Sequence, residues 1–515
     1  MQVRGRGSLL MQSVLILLLV LQTCATKKGP PNIVFILTDD QDTVIGGETP
    51  ITKTKRLIGD EGIIFRNMFA TSPLCCPSRS SILTGNYVHN HGAVNNSVDG
   101  NCSSPTWQNQ SETRAFITYL KKQKYTTFFA GKYLNQYGKP ETGGPEHIPP
   151  GWDWWNGLVG NSKYYNYHLS VNGTVENHRD NYQNDYFTDI INKRAEEFLQ
   201  LQSPDSGPFF MMLSTPACHA PFTPAPQYNN SFNDTKAPRN GSFNVYGKDK
   251  HWLIRQAKSP LSDDAIATID NVFRNRWRTL LSVDDMVENV INLLTQRKLL
   301  DNTYVFYSSD NGYHLGQFSL PQDKRQLYEF DVRVPLMVRG PGIKAGQLRE
   351  EIILNIDLAP TFIALSAQTA PSQMDGMSFH NLLAQNATIP ASSWRESFVI
   401  EHQGEYKQIN PGCPQYNNMD LANCDPNCVC EDAKNNTYGC VRTLSADTNY
   451  MYCVFEDTEN FAEFYDLNKD PDQLSNAIQT VSKSVLMDQG KKLMELSVCQ
   501  GPSCRKIGPP HVLVN

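Results

Sequence analysis

The part of the sequence best suited to chemistry is residues 75–85, which begin with two adjacent cysteines. Pro77 fits the first turn of a helix and Gly85 fits its end, so we predict a helix whose N-terminus lies just after Cys75. The free N–H groups and the dipole of a helix N-terminus favour an anion. Arg79, one turn further on, adds a planar positive group that suits a tetrahedral oxyanion. The alternative is a pair of structural cysteines, although adjacent cysteines rarely satisfy disulfide geometry with each other.

A second candidate group consists of oxygen-bearing side chains that follow two apolar segments, namely Asp39, Asp40, Asp310 and Asn311. The group contains neither a histidine nor a thiolate, and it suits a hard cation such as Ca²⁺ or Mg²⁺ better than zinc. Taken alone, the two adjacent aspartates could cap a helix or lie in a solvated loop. The second pair at a matching strand end makes a cation site the preferred interpretation.

Lys132 and His219 complete the candidates that the residues themselves suggest. Each follows an apolar run that is typical of a buried strand. Most lysines lie at the surface, so a lysine at a buried strand end needs an anion nearby. His219 could instead be a hydrogen-bonded histidine of the core.

The pattern Cys-x-Pro-Ser-Arg followed by Leu-Thr-Gly resembles the signature of the sulfatase family. Other elements of that family occur in the same order and cover most of the chain, namely Asp39-Asp40, Gly131-Lys132, Cys218-His219-Ala220-Pro221, Asp310-Asn311-Gly312, and Lys324 before Tyr328-Glu329. The resemblance implies that Cys75, and not Cys76, is oxidised to formylglycine by a formylglycine-generating enzyme. It further implies one Ca²⁺ per site, held by Asp39, Asp40, residue 75, Asp310 and Asn311.

The resemblance also implies how such a site works. Arg79 and the cation hold one hydroxyl of the hydrated formylglycine for attack on sulfur, while Lys132 and Lys324 stabilise charge on the sulfuryl oxygens. The second hydroxyl then expels sulfate, which a plain cysteine or serine could not do. His219 or Lys132 protonates the departing sugar oxygen. Many sulfatases have a histidine shortly after the lysine that matches Lys132; Tyr133, Leu134 and Asn135 follow here, which shifts the acid role towards His219.

The resemblance extends to the substrate, for which Asn135 and His314 are candidate contacts. The segments that most resemble the lysosomal enzymes removing the 6-O-sulfate of N-acetylglucosamine are residues 38–42, 130–135, 252–258 and 323–330. We therefore expect an exo-acting sulfuric ester hydrolase for heparan sulfate and keratan sulfate. The endo-acting members carry a long basic insert, which this sequence lacks.

Four short apolar runs must position these residues, at 33–37, 126–130, 209–213 and 304–307. Runs without polar alternation suit strands buried on both faces of a mainly parallel sheet. Helical patterns occur at residues 187–199 and 277–294. Alternating strands and helices predict an α/β domain whose ligands bind at the carboxyl ends of the strands, where the candidate groups lie. The resemblance implies the alkaline-phosphatase-like sulfatase fold, a large sheet flanked by helices.

The composition changes near residue 385, because eight of the thirteen cysteines lie beyond it. We predict a catalytic domain over residues 27–385 and a smaller, disulfide-rich α+β domain over residues 386–515. A zinc cluster is the alternative for four cysteines, namely Cys424, Cys428, Cys430 and Cys440. Their spacing fits no common zinc finger. With Cys24 and Cys75 set aside, eleven cysteines remain, so at least one is unpaired in a monomer, and Cys76 and Cys218 are the predicted candidates for a free thiol.

Residues 1–26 have the three parts of a secretory signal peptide: a positive start, an apolar core and small residues at the cleavage point. A retained signal anchor is the alternative. No later run approaches the ~20 apolar residues that a membrane helix needs. The sequence contains nine Asn-x-Ser/Thr sequons, which predict glycosylation at Asn95, Asn101, Asn109, Asn172, Asn229, Asn233, Asn240, Asn386 and Asn435. We expect a glycoprotein without a membrane span that reaches the lysosome through the secretory pathway, with secretion as the second possibility.

The composition excludes several other classes of protein. Hydrophobic residues make up 40% and charged residues 19%, which is typical of a globular chain, and the net charge of −6 argues against a nucleic-acid binder. The expected partners are a sulfated glycosaminoglycan and the modifying enzyme, and a homodimer is open. Two rival functions also stay open: a phosphatase or phosphodiesterase of the same superfamily, and a catalytically inactive glycan-binding homologue.

Overall fold

The computed structural model describes residues 29–239, 241–384, 394–405, 431 and 433–505, so the predicted signal peptide lies outside the described ranges. The strands in these ranges are β1 (Asn32–Thr38), β2 (Ile63–Phe65), β3 (Met68–Phe69), β4 (Thr126–Gly131), β5 (Trp154–Leu158), β6 (His168–Val171), β7 (Thr174–Asn177), β8 (Phe209–Ser214), β9 (Thr303–Ser309), β10 (Leu336–Arg339), β11 (Gln347–Arg349), β12 (Ile353–Leu354), β13 (Ser397–His402), β14 (Tyr438–Leu444), β15 (Asn449–Phe455) and β16 (Ala462–Asp466).

The α-helices in the same ranges are α1 (Thr52–Thr54), α2 (Cys75–Thr84), α3 (Val88–His91), α4 (Pro105–Gln110), α5 (Phe116–Lys122), α6 (Tyr182–Asp185), α7 (Phe187–Gln200), α8 (Trp252–Arg255), α9 (Asp263–Gln296), α10 (Glu329–Val332), α11 (Leu358–Leu365) and α12 (Lys483–Leu496). Single 3₁₀ turns cover Glu112–Arg114, Pro140–Thr142, Pro226–Tyr228, Leu300–Asn302, Asn355–Asp357, His380–Leu383 and Gly501–Arg505, and a π-helical turn covers Lys55–Gly59.

A ten-stranded sheet forms the centre of the molecule, in the order β11-β2-β10-β9-β1-β8-β4-β5-β6-β7. The four predicted apolar runs are β1, β4, β8 and β9, and they lie side by side in parallel as β9-β1-β8-β4. Towards the edges, β10 and β6 pair antiparallel with their neighbours, so the whole sheet is mixed. The predicted α/β fold with a large, helix-flanked sheet is confirmed.

Alternate residues of β1 face two separate hydrophobic clusters, as expected of a strand covered on both faces. Ile33, Phe35 and Leu37 lie in one cluster with residues of α5 and α11. Val34 and Ile36 lie in another with residues of α7 and α9. The predicted pattern at 277–294 is the second half of α9, a 34-residue helix that buries the same face along most of its length. Helices therefore cover both sides of the sheet.

The C-terminal region contains a separate four-stranded antiparallel sheet, in the order β13-β14-β15-β16. A disulfide between Cys440 and Cys453 joins β14 to β15, and a second one joins Cys499 to Cys504 after α12. Cys440 is therefore unavailable to the alternative zinc cluster; Cys413, Cys424, Cys428 and Cys430 lie outside the described residues.

The antiparallel sheet packs against loops, helices and short strands of the catalytic region in one hydrophobic cluster. This cluster contains Phe69 and Tyr328 from the catalytic region together with Phe398 and Tyr465 from the antiparallel sheet. The expected domain boundary at residue 385 stays a prediction. Within the described part of the chain, no helix is both long and apolar enough to cross a lipid bilayer.

The prediction that Cys76 is a free thiol is wrong, because Cys76 forms a disulfide with Cys102. Successive residues of a helix point about 100° apart, so Cys76 faces away from its neighbour Cys75 and towards the segment before α4. Cys218 is a free, buried thiol, as expected. The disulfide joins the first turn of α2 to a segment 26 residues further along the chain.

Candidate active site

Two adjacent strand ends bring the oxygen-bearing residues together. β1 and β9 pair in parallel and end at the same level of the sheet, so Asp39 and Asp40 leave it beside Asp310 and Asn311. The backbone N–H of Asp40 donates to Oδ1 of Asp310 at 3.0 Å, and Nδ2 of Asn311 donates to Oδ1 of Asp40 at 2.8 Å. These contacts hold the two pairs in one cluster.

This cluster has the composition of a site for a hard cation. Asp39, Asp40 and Asp310 each have a carboxylate oxygen within 4.8 Å of the others, and all three side chains are buried. Oδ1 of Asn311 is also buried and meets no hydrogen-bond donor among the described residues. A buried oxygen in that state is costly unless something binds it. Carboxylate and amide oxygens are the ligands that Ca²⁺ and Mg²⁺ prefer, so the donor set fits such an ion.

α2 begins at Cys75, one residue earlier than predicted, and Gly85 ends the helix in a left-handed conformation. The Cys75 Sγ lies 3.7 Å from Oδ1 of Asp39 and 3.9 Å from Oδ1 of Asp40. Burial raises the pKa of the Cys75 thiol to about 12, against the influence of Lys132 and Lys324. The thiol is therefore protonated at neutral and acidic pH and is a poor nucleophile as translated.

Three cations face this residue and the carboxylates. Nε of Arg79 donates to Oδ2 of Asp310 at 2.7 Å. Nζ of Lys132 donates to Oδ2 of Asp39, and Nζ of Lys324 donates to Oδ2 of Asp40, each at 2.7 Å. All three cationic side chains are buried, so each is held by specific partners rather than by solvent.

One guanidinium nitrogen of Arg79 makes no hydrogen bond to the described residues. Its Nη1 donates to the carbonyl of Lys132 and to Oγ of Ser214, both at 2.8 Å. Its Nη2 is buried and meets no acceptor within the described ranges at hydrogen-bond distance. An unused guanidinium N–H in a buried cationic site is suited to an oxyanion.

The charges set the protonation of the carboxylates. Burial opposes ionisation of Asp39, but Lys132, His219 and Arg79 outweigh it and hold the pKa of Asp39 well below its usual range. Burial raises the pKa of Asp310 to about 7, against the attraction of Arg79. Lys324 stays protonated, because Asp40 overcomes the burial that would lower its pKa.

His219 follows β8 and reaches the cluster from the other side of β1. Its Nδ1 lies 2.7 Å from the carbonyl oxygen of Ala220 and must donate to it, since a carbonyl only accepts. Its Nε2 lies 3.9 Å from Oδ2 of Asp40. Burial, together with the charge of Lys324, lowers the pKa of His219 to about 4. Any proton that His219 transfers at the site is therefore carried by Nε2.

The two residues predicted to contact substrate, His314 and Asn135, lie in different surroundings. His314 is fully buried; its Nδ1 lies 3.0 Å from both carboxylate oxygens of Asp331, and its Nε2 lies 3.1 Å from Glu431. With both nitrogens engaged inside the protein, the geometry favours a structural role for His314. Asn135 is nearly buried, donates to Asn161 at 3.3 Å and has a free Oδ1 with respect to the described residues, so its role stays a prediction.

Sequence reasoning missed two serines that support the site. Oγ of Ser162, in the loop after β5, donates to the same Asp39 oxygen that Lys132 binds. Ser214, the last residue of β8, accepts from Arg79 and donates to the carbonyl of Lys132. Neither serine belongs to a local pattern that the sequence could have revealed.

The predicted glycosylation sites divide by exposure. Asn109, Asn172, Asn229 and Asn233 are exposed and Asn101 is partly exposed, whereas Asn240 and Asn386 lie outside the described residues. Asn95 is 5% exposed and Asn435 is 3% exposed. Glycosylation at all nine sequons stays a prediction, and these two asparagines are the most buried of the seven that the structure describes.

Comparison with known proteins agrees with this geometry. The family model for "Sulfatase" matches residues 31–367. N-acetylglucosamine-6-sulfatase of Homo sapiens is 51% identical over 504 residues, which cover 96% of this chain and 90% of the relative. The extracellular sulfatase SULF-1 homolog of Drosophila melanogaster is 43% identical over 383 residues, which cover 74% of this chain but only 34% of that protein.

A solved structure is similar over nearly the whole described chain. It is described as a complex with its substrate, D-glucosamine-2-N,6-O-disulfate, and it superposes with a TM-score of 0.71 at 25% sequence identity. The alignment covers 91% of this chain and 97% of that one.

Proposed function

Because the chain belongs to the sulfatase family, we propose that it is an exo-acting sulfuric ester hydrolase that removes the 6-O-sulfate of N-acetylglucosamine 6-sulfate units in heparan sulfate and keratan sulfate. The observation that carries the proposal is the position of Cys75, at the start of α2, against two carboxylates and among three buried cations. The identity of about one half to the human N-acetylglucosamine-6-sulfatase, over nine-tenths of both chains, supports the substrate class. The solved relative whose substrate carries a 6-O-sulfate supports the position of the ester.

The proposal includes conversion of Cys75 to formylglycine by a formylglycine-generating enzyme, as sulfatases generally require. The hydrated aldehyde would supply one hydroxyl to attack sulfur and a second to expel sulfate afterwards. The buried, protonated thiol of Cys75 supports this, since the unmodified side chain is poorly suited to nucleophilic attack.

We further propose that the divalent cation of the family is one Ca²⁺ ion per site, held by Asp39, Asp40, Asp310 and Asn311 together with residue 75. Such an ion would polarise a sulfuryl oxygen and favour charge that develops on it. The four oxygen-bearing side chains and the unpartnered Oδ1 of Asn311 support this assignment.

The residues of the chain itself would bind and orient the sulfate ester. Lys132 binds Asp39 and Lys324 binds Asp40, the two aspartates beside Cys75. Their ammonium groups therefore suit the non-bridging sulfuryl oxygens of an ester at that position. Arg79 would hold residue 75 and offer to the same anion its Nη2, which lies 3.7 Å from Oδ1 of Asp39 and makes no hydrogen bond to the described residues. Only the doubly protonated form of His219 would give a proton on Nε2 to the departing sugar oxygen, because the single hydrogen of the neutral ring is committed from Nδ1 to Ala220.

We propose a lysosomal location, reached through the secretory pathway. The signal-peptide pattern of residues 1–26 and the exposed sequons support it. An exo-acting enzyme binds a terminal sugar and needs no long basic surface, which agrees with the net charge of −6.

The modification is tested by mass spectrometry of the peptide that contains Cys75, from protein made in a secretory cell line. Conversion to formylglycine should lower its mass by roughly 18 Da, since a thiol carbon becomes an aldehyde carbon. An unmodified thiol, with the modifying enzyme active on a second sulfatase in the same cells, would reject the mechanism.

The substrate is tested with N-acetylglucosamine 6-sulfate and its 3-sulfate isomer as the matched control. We expect sulfate release from the 6-sulfate alone. Equal release from both isomers would keep the reaction and reject the position. Binding of the 6-sulfate without turnover by modified protein would favour the inactive glycan-binding homologue, and turnover of the sugar phosphate in preference to the sulfate would favour the phosphatase.

A further inference from the structure

Arg276 lies in the middle of α9 and belongs to none of the motifs that the sequence singles out. Its side chain is only 2% exposed and ends behind the strand ends that carry the site. Nη2 donates to the carbonyl oxygen of Asp40 at 2.7 Å and to Oδ1 of Asp42 at 3.0 Å. Nη1 donates to the carbonyl oxygen of Cys218 at 3.4 Å. The guanidinium thus joins the segment after β1 to the segment after β8.

The aromatic ring of Tyr313 brings in the segment after β9. The guanidinium of Arg276 lies 4.0 Å from the centroid of this ring, and Nζ of Lys324 lies 5.8 Å from the same centroid. A cation over an aromatic face is attracted by the ring, most strongly when water is excluded. Tyr313 is buried, so both cations lie over a desolvated ring. Arg276 therefore contacts three of the segments that carry proposed catalytic or cation-binding residues, namely those after β1, β8 and β9.

These contacts restrain the residues whose orientation matters most. Asp40 has φ 63°, a left-handed conformation that side-chain-bearing residues seldom adopt, and the direction of its carboxylate depends on it. Asp42 accepts from the backbone N–H groups of Ile45 and Gly47 as well as from Arg276, which closes the loop after Asp40. On the other side, the Cys218 carbonyl lies directly before His219.

We propose that Arg276 is a positioning residue for sulfate ester hydrolysis, which orients the Asp40 carboxylate and the His219 imidazole relative to residue 75. The inference rests on the proposed function. An arginine is needed because its planar fork serves acceptors on two loops at once while its face stacks on Tyr313; a lysine has the same charge but can serve only one of these partners well.

Arg278 provides a matched control on the same helix. It is also a buried arginine, and its Nε and Nη2 donate to the carbonyl of Ser231 and to Oδ1 of Asn233, each at 2.7 Å. Neither acceptor belongs to the segments that carry the site. R276K and R278K therefore each replace a buried guanidinium on the same helix by an ammonium group. The first change lies behind the site and the second lies away from it.

The test compares steady-state kinetics and thermal unfolding of the wild type and the two variants, all with verified formylglycine. We expect R276K to lower kcat about 10-fold to 100-fold, since small displacements of catalytic groups have effects of that size, with a much smaller change in KM. R278K should keep the wild-type kcat while its unfolding temperature falls as much as that of R276K. Equal kcat values in the two variants would overturn the inference.

A second readout does not depend on turnover. Ca²⁺ should raise the unfolding temperature of the wild type and of R278K at the same concentrations, whereas R276K should need more Ca²⁺ because Asp40 is misaligned. Identical Ca²⁺ responses of R276K and R278K would count against the positioning of Asp40. If the wild type fails to hydrolyse N-acetylglucosamine 6-sulfate, the proposed function fails, and the Ca²⁺ response alone still decides the role of Arg276.

Discussion

At the scale of single residues, the positive side chains of the site are suited to binding an anionic substrate and do not activate Cys75 as a thiolate. Lys132 and Lys324 bind the two aspartates that lie beside the Cys75 thiol, and Arg79 binds Asp310. Burial nevertheless keeps the pKa of the Cys75 thiol at about 12. Thiolate enzymes lower this pKa to make the sulfur reactive. The cations here are therefore better explained by an anionic substrate than by activation of sulfur, which agrees with a nucleophile made by modification.

We expect C75A to abolish sulfate release, by at least about 1,000-fold in kcat, because it removes the only precursor of the nucleophile. S80A is the matched control, since Ser80 is also buried in α2 and also loses one heavy atom. Its activity should stay close to that of the wild type. Sulfate release by C75A above this limit, measured with N-acetylglucosamine 6-sulfate, would contradict the assignment of residue 75.

At the scale of elements, the ends of strands and helices decide where the charges lie. β4 ends at Gly131, which has φ 126° and lies so close to β8 that an added Cβ would be 1.8 Å from the carbonyl oxygen of Ser214. Only glycine allows this approach, and it sets the direction in which Lys132 leaves the sheet. The disulfide between Cys76 and Cys102 holds the first turn of α2 in a comparable way.

We expect G131A to destabilise the protein by more than about 1 kcal/mol and to lower kcat, because it must push β4 away from β8 and move Lys132. G342A separates the two effects. Gly342 has φ 76°, but no atom of the described chain lies within 4 Å of the added Cβ. This variant should lose some stability and keep its kcat. Full activity of G131A in the remaining folded protein would show that the position of Lys132 tolerates the shift.

At the scale of the whole molecule, the C-terminal sheet supports the segment that carries Lys324. The Tyr438 hydroxyl donates to the carbonyl of Arg325 at 2.9 Å. Four residues further on, Nε of Arg442 donates to Oε1 of Glu329 at 2.9 Å. The antiparallel sheet is therefore part of the support of the active site as well as a separate unit of secondary structure.

We expect R442M to lower the free energy of unfolding by about 3 kcal/mol or more, since it leaves the buried carboxylate of Glu329 without its main partner. The double variant E329Q/R442M should recover part of this loss. R66M is the control, because Arg66 and Glu350 form an exposed pair worth about 1 kcal/mol or less. Urea unfolding measures all three, and similar losses in R442M and R66M would contradict the proposed support.

His89 links α3 of the catalytic region to the C-terminal region and makes this contact depend on pH. Nδ1 of His89 lies 2.7 Å from Oε1 of Glu401, and its Nε2 lies 2.9 Å from the carbonyl of Cys499. Both partners accept, so the imidazole must carry both protons. Burial alone would lower the pKa of His89, but the hydrogen bond and charge of Glu401 raise it above its ordinary value.

A raised pKa in the folded state adds stability that is complete below the unfolded pKa of about 6.5 and is lost as pH rises through the folded value. We therefore expect the difference in unfolding free energy between the wild type and H89Q to be largest in acid and to shrink above pH ~6.5. H168Q removes an exposed histidine instead and serves as the control substitution. A difference between wild type and H89Q that grows with pH would reverse the sign and reject the charged pair.

The sequence by itself determined the features that depend on neighbouring residues. The apolar runs of β1, β4, β8 and β9, a helix start within one residue of Cys75 and the helix end at Gly85 follow from local pattern and turn chemistry. The family resemblance added the roles expected of Lys132, His219 and Lys324.

Only the tertiary structure decided which distant groups meet. It paired Cys76 with Cys102, enclosed His314 between Asp331 and Glu431, and buried Asn95 and Asn435. It also placed Arg276 against Asp40, 236 positions away in the chain. A contact of this kind follows from the packing of α9 against the strand ends, and no pattern around either residue records it, because hydrogen bonds and burial depend on neighbours in space.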